Sequence, residues 1–372
     1  MLTPQELKRY NRHIILPEIG MSGQLKLKQA KVLIFGMGGL GCPIAQYIAA
    51  AGVGTIGMVD FDVIDESNLQ RQILYTSADI NKLKVEVAAE KVKALNPFAT
   101  VNTYPVKCVP VNILNMVKEY DIIADCTDNY AARYLINDAC VTLDKPFVSA
   151  SVYKFESQLS VYNYEGGPTY RCLFSEPPEE ALNCSEAGVM GVLTGIAGAL
   201  QANEIVKMIT GIGEVLTGKL LLYNALTNQT NSIKVSRDEE QVQKIRDLNG
   251  DLSSIDYELL CSTKMEGGDT IPEISPKELR SRLNNNEDIQ LIDVREEAEH
   301  ELDNIGGDLI SLYDIISMAN KITTDKPVVI YCETGKRSAL AIEELRKVKG
   351  FSNLFSLKGG IQEWNKFENS LI

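Results

Sequence analysis

The chain of 372 residues is 45% hydrophobic and 23% charged, and it carries a formal net charge of −13 at pH 7. These values are typical of a soluble globular protein with two or more domains. The negative charge argues against direct binding to nucleic acid, whose phosphates attract clustered lysine and arginine, and no segment reaches the ~18 uncharged apolar residues that span a membrane.

Short β-rich segments alternate with helical ones from Lys31 to about Ser160, which predicts parallel strands joined by crossover helices. The predicted strands are Val32–Phe35, Thr55–Asp60, Ala99–Tyr104 and Asp121–Asp125, and the predicted helices are Pro43–Ala51 and Leu83–Leu95. A further strand pair, Gln158–Tyr164 and Lys219–Asn224, brackets a loop and a long helix from Gly188 to about Thr210.

A change of composition divides the chain. Residues 238–272 mix charge, glycine and serine without sustained periodicity, so we expect them to link a domain over residues 1–237 to a domain over residues 273–372. The second domain is also α/β, with predicted strands Ile289–Val294 and Pro327–Tyr331 and a predicted helix Ser338–Lys349.

A glycine-rich turn follows the first predicted strand. Gly36, Gly38 and Gly41 lie between that strand and a helix, where backbone amides can approach a phosphate closely and the helix N-terminus favours negative charge. Asp60 follows at the spacing of a carboxylate that binds ribose hydroxyls. On this motif alone, a nicotinamide-dependent oxidoreductase is the favoured interpretation.

Polar residues after the turn shift the balance toward ATP. They are Asp62, Ser67, Asn68, Arg71, Gln72, Lys82, Lys84, Asp128 and Asn129. Hydride transfer has little use for several cations around its phosphates, whereas cleavage between the α and β phosphates builds negative charge that cations stabilise. Asp128 lies just past a predicted parallel strand, where ligands bind and where a carboxylate can hold Mg²⁺. The predicted fold is therefore α/β, with a Rossmann-like ATP-binding domain containing a mixed sheet.

Five segments resemble the ubiquitin-activating-like family, in particular the adenylyltransferases of molybdopterin-type and thiamine-type sulfur carriers. They are Arg9–Gly20, Gly36–Gly41, Ser67–Gln72, Asp125–Asn129 and Cys184–Val189, and the resemblance covers roughly residues 1–235. The resemblance implies ATP contacts from Gly39, Asp60, Asn68, Arg71 and Lys84, with Asp128 on magnesium. It also implies a homodimer in which Arg12 reaches into the partner's active site.

One departure from that family concerns zinc. Members often hold a structural zinc ion with two Cys-x-x-Cys pairs. In this chain Cys172 is alone, with Thr169 at the position of its partner. We therefore expect no zinc.

A short cysteine loop lies near the C-terminus. It comprises Cys332, Glu333, Thr334, Gly335, Lys336 and Arg337. The loop amides, the following helix N-terminus and the two cations favour a thiolate or persulfide, and the polarity of the loop argues against a buried structural cysteine. A cysteine phosphatase needs five residues between cysteine and arginine, but this loop has four. Together with Leu291–Glu296, the loop resembles the rhodanese sulfurtransferase domain over residues 273–372, although Asn304–Asp308 departs from the family's His-Ile-Pro-Gly-Ala pattern.

Cys184 is a second candidate thiol. It follows an acidic, proline-containing loop and precedes the long helix, a position that suits an exposed thiolate. The family resemblance implies a transient thioester or disulfide bond with the carrier protein. Sulfur could instead pass directly from Cys332.

These features predict adenylation of the C-terminal glycine of a small ubiquitin-fold sulfur carrier protein, with ATP and Mg²⁺. A persulfide on Cys332, supplied by a cysteine desulfurase or another sulfur donor, would then give a thiocarboxylate. Arg12, Arg71 and Lys84 would stabilise the departing pyrophosphate. Molybdopterin, thiamine and tRNA-thiolation pathways stay open, as do a nicotinamide oxidoreductase fused to a rhodanese domain and a non-catalytic scaffold. The start of the chain lacks a secretory signal, so the expected location is the cytoplasm.

Overall fold

The computed structural model describes residues 1–177, 188–261, 271–349 and 351–370. The chain divides into two compact units, residues 1–263 and residues 264–372. Within the described residues, no helix is both long enough and apolar enough to cross a membrane.

The first unit is built on a mixed sheet. Its strands are β1 Lys31–Phe35, β2 Thr55–Val59, β3 Thr100–Tyr104, β4 Ile122–Asp125, β5 Phe147–Tyr153, β6 Glu156–Tyr162, β7 Lys219–Asn224 and β8 Gln229–Lys234. Their order is β3-β2-β1-β4-β5-β6-β7-β8. The first five strands pair in parallel, and β5 to β8 pair antiparallel. The predicted mixed sheet is therefore confirmed.

Helices cover both faces of this sheet. They are α1 Pro4–Arg9, α2 Asn11–Ile14, α3 Gly20–Gln29, α4 Gly41–Ala51, α5 Lys84–Leu95, α6 Pro110–Val117, α7 Tyr130–Thr142, α8 Tyr170–Leu173, α9 Gly191–Thr210, α10 Glu239–Arg246 and α11 Tyr257–Cys261. The central strands are almost wholly apolar, because a parallel strand between two helical layers is buried on both sides. One hydrophobic cluster packs α4, α5 and α9 on one face, and a second packs α6 and α7 on the other.

The strands and helices predicted in residues 31–224 are present, with ends shifted by up to three residues. Among the described residues from 31 to 234, the elements β5, α6, α7, α8 and β8 were not predicted. All residues of β8 are exposed, so that strand has no apolar alternation to indicate it.

The predicted linker differs from the structure in its described part. Residues 238–261 contain α10 and α11, which bury Val242, Ile245 and Tyr257 in the first unit. Val242 and Ile245 pack against Val141 of α7, and the Tyr257 hydroxyl donates to Asp138 Oδ2 at 2.8 Å. The buried surface of α10 is only two apolar residues wide, which explains why the sequence pattern resembled a linker.

The second unit contains a parallel sheet with helices on both faces. Its strands are β9 Glu273–Ile274, β10 Gln290–Asp293, β11 Asp308–Leu309, β12 Val328–Tyr331 and β13 Leu354–Leu357, in the order β11-β10-β12-β13-β9. Its helices are α12 Pro276–Asn284, α13 Glu297–Leu302, α14 Lys336–Lys349 and α15 Gly360–Asn369. The predicted small α/β domain is confirmed.

Candidate functional site

The glycine turn joins β1 to α4 at the carboxyl edge of the parallel strands. Gly36 has φ +90°, and a Cβ there would lie 2.7 Å from the carbonyl oxygen of Cys126. A Cβ at Gly41 would overlap the carbonyl oxygen of Gly36, and one at Gly39 would lie 2.8 Å from Thr194 Oγ1. These three glycines are therefore required by packing alone. Gly38 differs, because the nearest atom to a Cβ there is Gln72 Nε2 at 3.5 Å, which leaves its outer side open to a ligand.

Asp60 is attached to the glycine turn. It follows β2, and its carboxylate accepts hydrogen bonds from the amides of Met37 at 2.7 Å and Asp62 at 2.9 Å. Burial raises the pKa of Asp60, while Lys84 and these two amides partly offset the rise. The carboxylate lies where a ribose hydroxyl can donate to its remaining lone pairs.

Lys84 begins α5 and is a nearly buried cation. Its side chain is 7% exposed, and Nζ lies 2.8 Å from Oδ2 of Asp62, whose side chain is 49% exposed. A buried ammonium needs a negative partner. Because Asp62 is half in solvent, an anionic ligand can share or replace it beside Lys84.

The Ser67–Gln72 segment lies next to the glycine turn, where Gln72 is the nearest neighbour of a Cβ at Gly38. Asp65 begins a single 3₁₀ turn, Glu66–Asn68, by accepting from the amide and hydroxyl of Ser67 at 2.8 and 2.6 Å. These bonds hold the pKa of Asp65 below its ordinary value. Arg71 donates to the carbonyl of Ser67 at 3.1 Å, and Asn68 is half-buried beside it.

Gln72 is 4% exposed. Its Oε1 has no hydrogen-bond partner among the described residues. The Nε2 atom of the same side chain is the nearest neighbour of a Cβ at Gly38, and a bound polar ligand or an ordered water would satisfy the unpaired Oε1. The residues around the turn therefore fit a nucleotide.

Hydrogen bonds to Asp125, the last residue of β4, hold the segment that follows this strand. Asp125 is fully buried and accepts from Thr127 Oγ1, Ser149 Oγ and Arg133 Nε at 2.6, 2.6 and 3.0 Å. Burial alone would lower the pKa of Arg133, but Asp125 beside it raises that pKa. Arg133 also donates to the Thr127 carbonyl at 3.0 Å. This network holds the chain just before Asp128, whose side chain is exposed.

Asn129 has a structural role in this unit. Its Oδ1 accepts from the amide of Ala132 at 2.8 Å and begins α7. Sequence reasoning missed Arg133, Ser149 and Thr194. Arg133 could have been found from its place one helical turn after Asn129, on the face that returns to the strand end.

Arg12 and Cys184 are the other residues of the first unit that the sequence singled out. Arg12 is exposed on α2, and exposed Ile15 and Leu16 follow it. Cys184 lies in residues 178–187, outside the described residues. The chain after residue 187 contacts the glycine turn, since Thr194 of α9 lies against Gly39.

The groups around Cys172 show whether this position has the ligands of a zinc site. Its sulfur accepts from the amides of Thr169 and Asp238 at 3.3 and 3.2 Å, and the Thr169 hydroxyl lies 3.2 Å away. Within the described ranges, no group of three or more His, Cys, Asp or Glu side chains could hold a metal ion. A hydroxyl and two amides are not the ligands of a tetrahedral zinc site, so this corner does not fit zinc.

In the second unit, Cys332 lies between β12 and the start of α14. Its Sγ accepts from the amide of Gly335 at 3.1 Å and lies 3.7 Å from Ser338 Oγ. The cysteine is 0% exposed, so the expectation that the polar loop would exclude a buried cysteine is wrong. Cys332 belongs to the same buried apolar cluster as Ala341 and Ile342 of α14, while the Gly335 amide and the Ser338 hydroxyl make the surroundings of its sulfur partly polar.

The loop's arginine is paired with a carboxylate. Arg337 donates to both oxygens of Glu299, at 2.8 and 2.7 Å. Burial would raise the pKa of Glu299, but Arg337 holds it below its ordinary value. A second pair joins Arg295 to Glu333 of the loop at 3.3 Å. The predicted proximity of cations to the loop is present, but these two guanidinium groups also clamp the loop in place.

The turn Gly359-Gly360 contacts the Cys332 loop. This contact was not predicted. Gly360 has φ +62°, and a Cβ there would lie 2.5 Å from the carbonyl oxygen of Glu333. The amides of Ile361 and Gln362 donate to the carbonyls of Cys332 and Glu333 at 2.8 and 3.2 Å. These two hydrogen bonds hold the carbonyls of Cys332 and Glu333 against the first turn of α15. The dipeptide Gly359-Gly360 is the sequence signal for this contact.

Comparisons with known proteins agree with both halves. The chain matches the ThiF family over residues 10–244 and the Rhodanese-like domain over residues 275–367. The probable adenylyltransferase/sulfurtransferase MoeZ of Mycobacterium tuberculosis is 41% identical over 378 residues, which cover 98% of this chain and 94% of that protein. The adenylyltransferase and sulfurtransferase MOCS3 of Drosophila yakuba is 37% identical over 382 residues, which cover 98% of this chain and 84% of that protein.

A solved structure agrees with the fold of the larger unit. The crystal structure of E. coli MccB with MccA-N7isoASN has a TM-score of 0.57 and 24% identity, covering 62% of this chain and 72% of that chain. The family match spans more than half of the chain, and MoeZ aligns with nearly all of it. The chain therefore belongs to the ThiF family and carries a C-terminal rhodanese-like domain.

Proposed function

We propose that the protein adenylates the C-terminal glycine of a small ubiquitin-fold sulfur carrier protein and then transfers sulfur to it from a persulfide on Cys332. The observation that supports this most is a nearly buried cation beside an open glycine turn. Lys84 partly offsets the rise that burial causes in the pKa of Asp60, and Asp60 accepts a hydrogen bond from the amide of Met37 in the turn. A cation there can neutralise phosphate charge, for which a nicotinamide site has little use.

In the first step, the carrier carboxylate attacks the α-phosphorus of ATP, and pyrophosphate leaves with the bonding electron pair. The glycine turn would bind the phosphates through its amides, and Asp60 would bind the ribose. Lys84 and Arg71 would stabilise the charge on the leaving group. Asp128, exposed at the end of β4, would hold magnesium.

In the second step, the terminal sulfur of the Cys332 persulfide attacks the acyl carbon and AMP leaves. The carrier is then joined to Cys332 through an acyl disulfide. A thiolate then attacks Cys332 Sγ, forms a disulfide bond with it and expels the carrier thiocarboxylate with the electron pair of the broken S–S bond; a second thiol reduces that disulfide and regenerates Cys332. Cys184 is a candidate for the attacking thiolate, and an external reductant is the alternative.

The carrier, the pathway and the sulfur donor belong to this proposal. Molybdopterin-type and thiamine-type carriers share the same C-terminal chemistry, so the described residues do not separate them. A cysteine desulfurase would supply the persulfide sulfur. Exchange measurements with each purified carrier would identify the substrate.

Carrier-dependent exchange of pyrophosphate into ATP tests the first step. Lys84→Ala is expected to lower the exchange rate on the order of 100-fold, because one fixed donor to a developing charge is lost. Lys91→Ala is the matched control on the same helix, since Lys91 is 41% exposed and lies 3.7 Å from Asp79. Exchange that needs no carrier, or equal rates in both variants, would contradict the proposal.

Thiosulfate-to-cyanide sulfur transfer tests the second step. Cys332→Ala is expected to abolish this transfer while pyrophosphate exchange continues at the wild-type rate. Transfer that survives in Cys332→Ala would place the sulfur chemistry elsewhere.

A further inference from the structure

A pair of hydrogen-bonded serine hydroxyls lies at the Cys332 loop, and one of them, that of Ser338, lies next to the sulfur. Ser338 belongs to α14 and Ser356 to β13, with exposed fractions of 0% and 3%. Ser338 Oγ lies 3.7 Å from Cys332 Sγ, 2.9 Å from the carbonyl oxygen of Gly335 and 2.8 Å from Ser356 Oγ. Ser356 Oγ lies 3.4 Å from the same carbonyl oxygen. The two hydroxyls therefore share one carbonyl oxygen, and Ser338 also lies within reach of the sulfur.

The two hydroxyl protons can be arranged in two ways that keep these buried groups paired. When the sulfur is a neutral thiol, Ser338 donates to the Gly335 carbonyl and Ser356 donates to Ser338. When the sulfur is an anion, Ser338 turns its proton to Cys332 Sγ, and Ser356 donates to the carbonyl instead. Hydroxyl protons rotate to suit their partners, and buried polar groups require partners in each state.

We propose that Ser338 donates a hydrogen bond to Cys332 Sγ when that sulfur carries negative charge during sulfur transfer, and that Ser356 is a positioning residue that takes over the Gly335 carbonyl. This inference rests on the proposed sulfur transfer at Cys332. Together with the Gly335 amide, the hydroxyl gives a buried thiolate two donors. Charge-assisted hydrogen bonds of this kind are stronger than neutral ones.

Both halves of the transfer pass through this thiolate. In loading, Cys332 thiolate attacks the outer sulfur of thiosulfate, a new S–S bond forms, and sulfite leaves with the electron pair of the broken bond. In delivery to cyanide, the cyanide carbon takes the terminal sulfur. The S–S bond then breaks, and its electron pair returns to Sγ. Ser338 would stabilise the charge on Sγ at the start of the first half and at the end of the second.

Charged groups around the loop also influence the thiol, so the test compares variants that leave them unchanged. Arg337 pairs with Glu299, and Arg295 pairs with Asp293 and Glu333. His300 lies 2.9 Å from Asp293, and Lys336 begins α14 on the exposed side.

The experiment measures the pH profile of iodoacetamide alkylation at Cys332, read by mass spectrometry of its peptide in the full-length protein. Ser338→Ala is expected to move the profile to higher pH. We also expect it to lower kcat of thiosulfate-to-cyanide transfer on the order of tenfold, with little change in KM for thiosulfate. Ser356→Ala should shift the profile in the same direction by less. Ser338→Thr, which restores a hydroxyl, should restore the profile.

Ser311→Ala is the matched control, because that hydroxyl bonds to Asp314 at 3.0 Å on the surface of the same unit. Fluorescence of Trp364, the one tryptophan of the chain, checks that each variant is folded. A folded Ser338→Ala with a wild-type profile and kcat overturns this inference alone. Sulfur transfer that is absent from the wild type, or retained in Cys332→Ala, overturns the proposed function instead.

Discussion

The glycines of the glycine turn fall into two groups, those required by packing and one that is not. Gly36, Gly39 and Gly41 are required because neighbouring atoms leave no room for a Cβ. Gly38 has ordinary space around a Cβ, so packing does not explain its lack of a side chain, and we propose that a ligand does. A substitution at Gly38 can therefore separate binding from stability.

Gly38→Ala is expected to unfold like the wild type, within about 0.5 kcal/mol, because no clash is introduced. ATP affinity should fall at least about tenfold, equal to about 1.4 kcal/mol, since the methyl group occupies the space left for phosphate. Isothermal titration with ATP and chemical unfolding measure the two effects. Gly195→Ala in α9 is the control, because nothing lies within 4 Å of a Cβ there; unchanged ATP affinity in Gly38→Ala would contradict the placement of the phosphates.

Some residues of the site could be predicted from sequence because their chemistry is local. The glycine turn and the Cys332 loop each follow a strand and precede a helix, and Asp60 directly follows β2, so their neighbours along the chain define the site. Ser338, Ser356 and Arg133 could not be predicted in this way. Ser356 meets Ser338 across 18 residues of sequence, and serine pairs carry no sequence pattern that marks such a contact.

At the scale of elements, α13 and α14 of the second unit are joined by the pair Glu299–Arg337. Because Arg337 holds the pKa of Glu299 below its ordinary value of 4.5, the pair stabilises the folded unit fully above that pH. The stabilisation is lost as pH falls through the lower folded pKa. Asp293 acts in the same direction: burial would raise its pKa, but Arg295 and His300 hold it below its ordinary value of 3.8.

We therefore expect the second unit to lose stability as the pH falls below about 4.5, and Glu299→Gln to flatten that dependence while lowering stability at pH 7. Trp364 is 6% exposed in this unit, so its fluorescence follows urea unfolding there. Glu297→Gln on the exposed side of α13 is the control. Equal pH dependence in the wild type and Glu299→Gln would show that the pair contributes no pH-dependent stability.

Element types were predictable where apolar runs were strong, as in β1, β2, β4 and β12. They were missed where burial depends on tertiary contacts. The helix α10 buries only Val242 and Ile245 on an otherwise polar surface, and its packing on α7 is not encoded in its own periodicity.

At the scale of the whole molecule, the proposed homodimer can be tested by complementation. Arg12 is exposed and Lys84 is nearly buried, so the two need not act in the same subunit. If Arg12 serves the partner's site, Arg12→Ala and Lys84→Ala are each inactive as homodimers. Mixed and allowed to re-assort, they should recover on the order of a quarter of wild-type exchange activity, because one site of each mixed dimer is complete.

Subunit exchange is checked by native mass spectrometry with one variant isotopically labelled. Arg12→Ala together with Arg9→Ala, mixed in the same way with Lys84→Ala, gives the control for general loss of N-terminal charge. Mixed dimers that form but stay inactive would place Arg12 in the site of its own subunit.

The most direct test of the two-step account is formation of the carrier thiocarboxylate. Carrier, ATP, magnesium and a sulfur donor are incubated with the wild type, Lys84→Ala or Cys332→Ala. The mass of the intact carrier is then measured by mass spectrometry. Only the wild type is expected to replace one C-terminal oxygen by sulfur at a rapid rate, while Cys332→Ala accumulates the acyl-adenylate and Lys84→Ala leaves the carrier unchanged. Thiocarboxylate formed rapidly by Cys332→Ala, or by the wild type without ATP, would contradict the account.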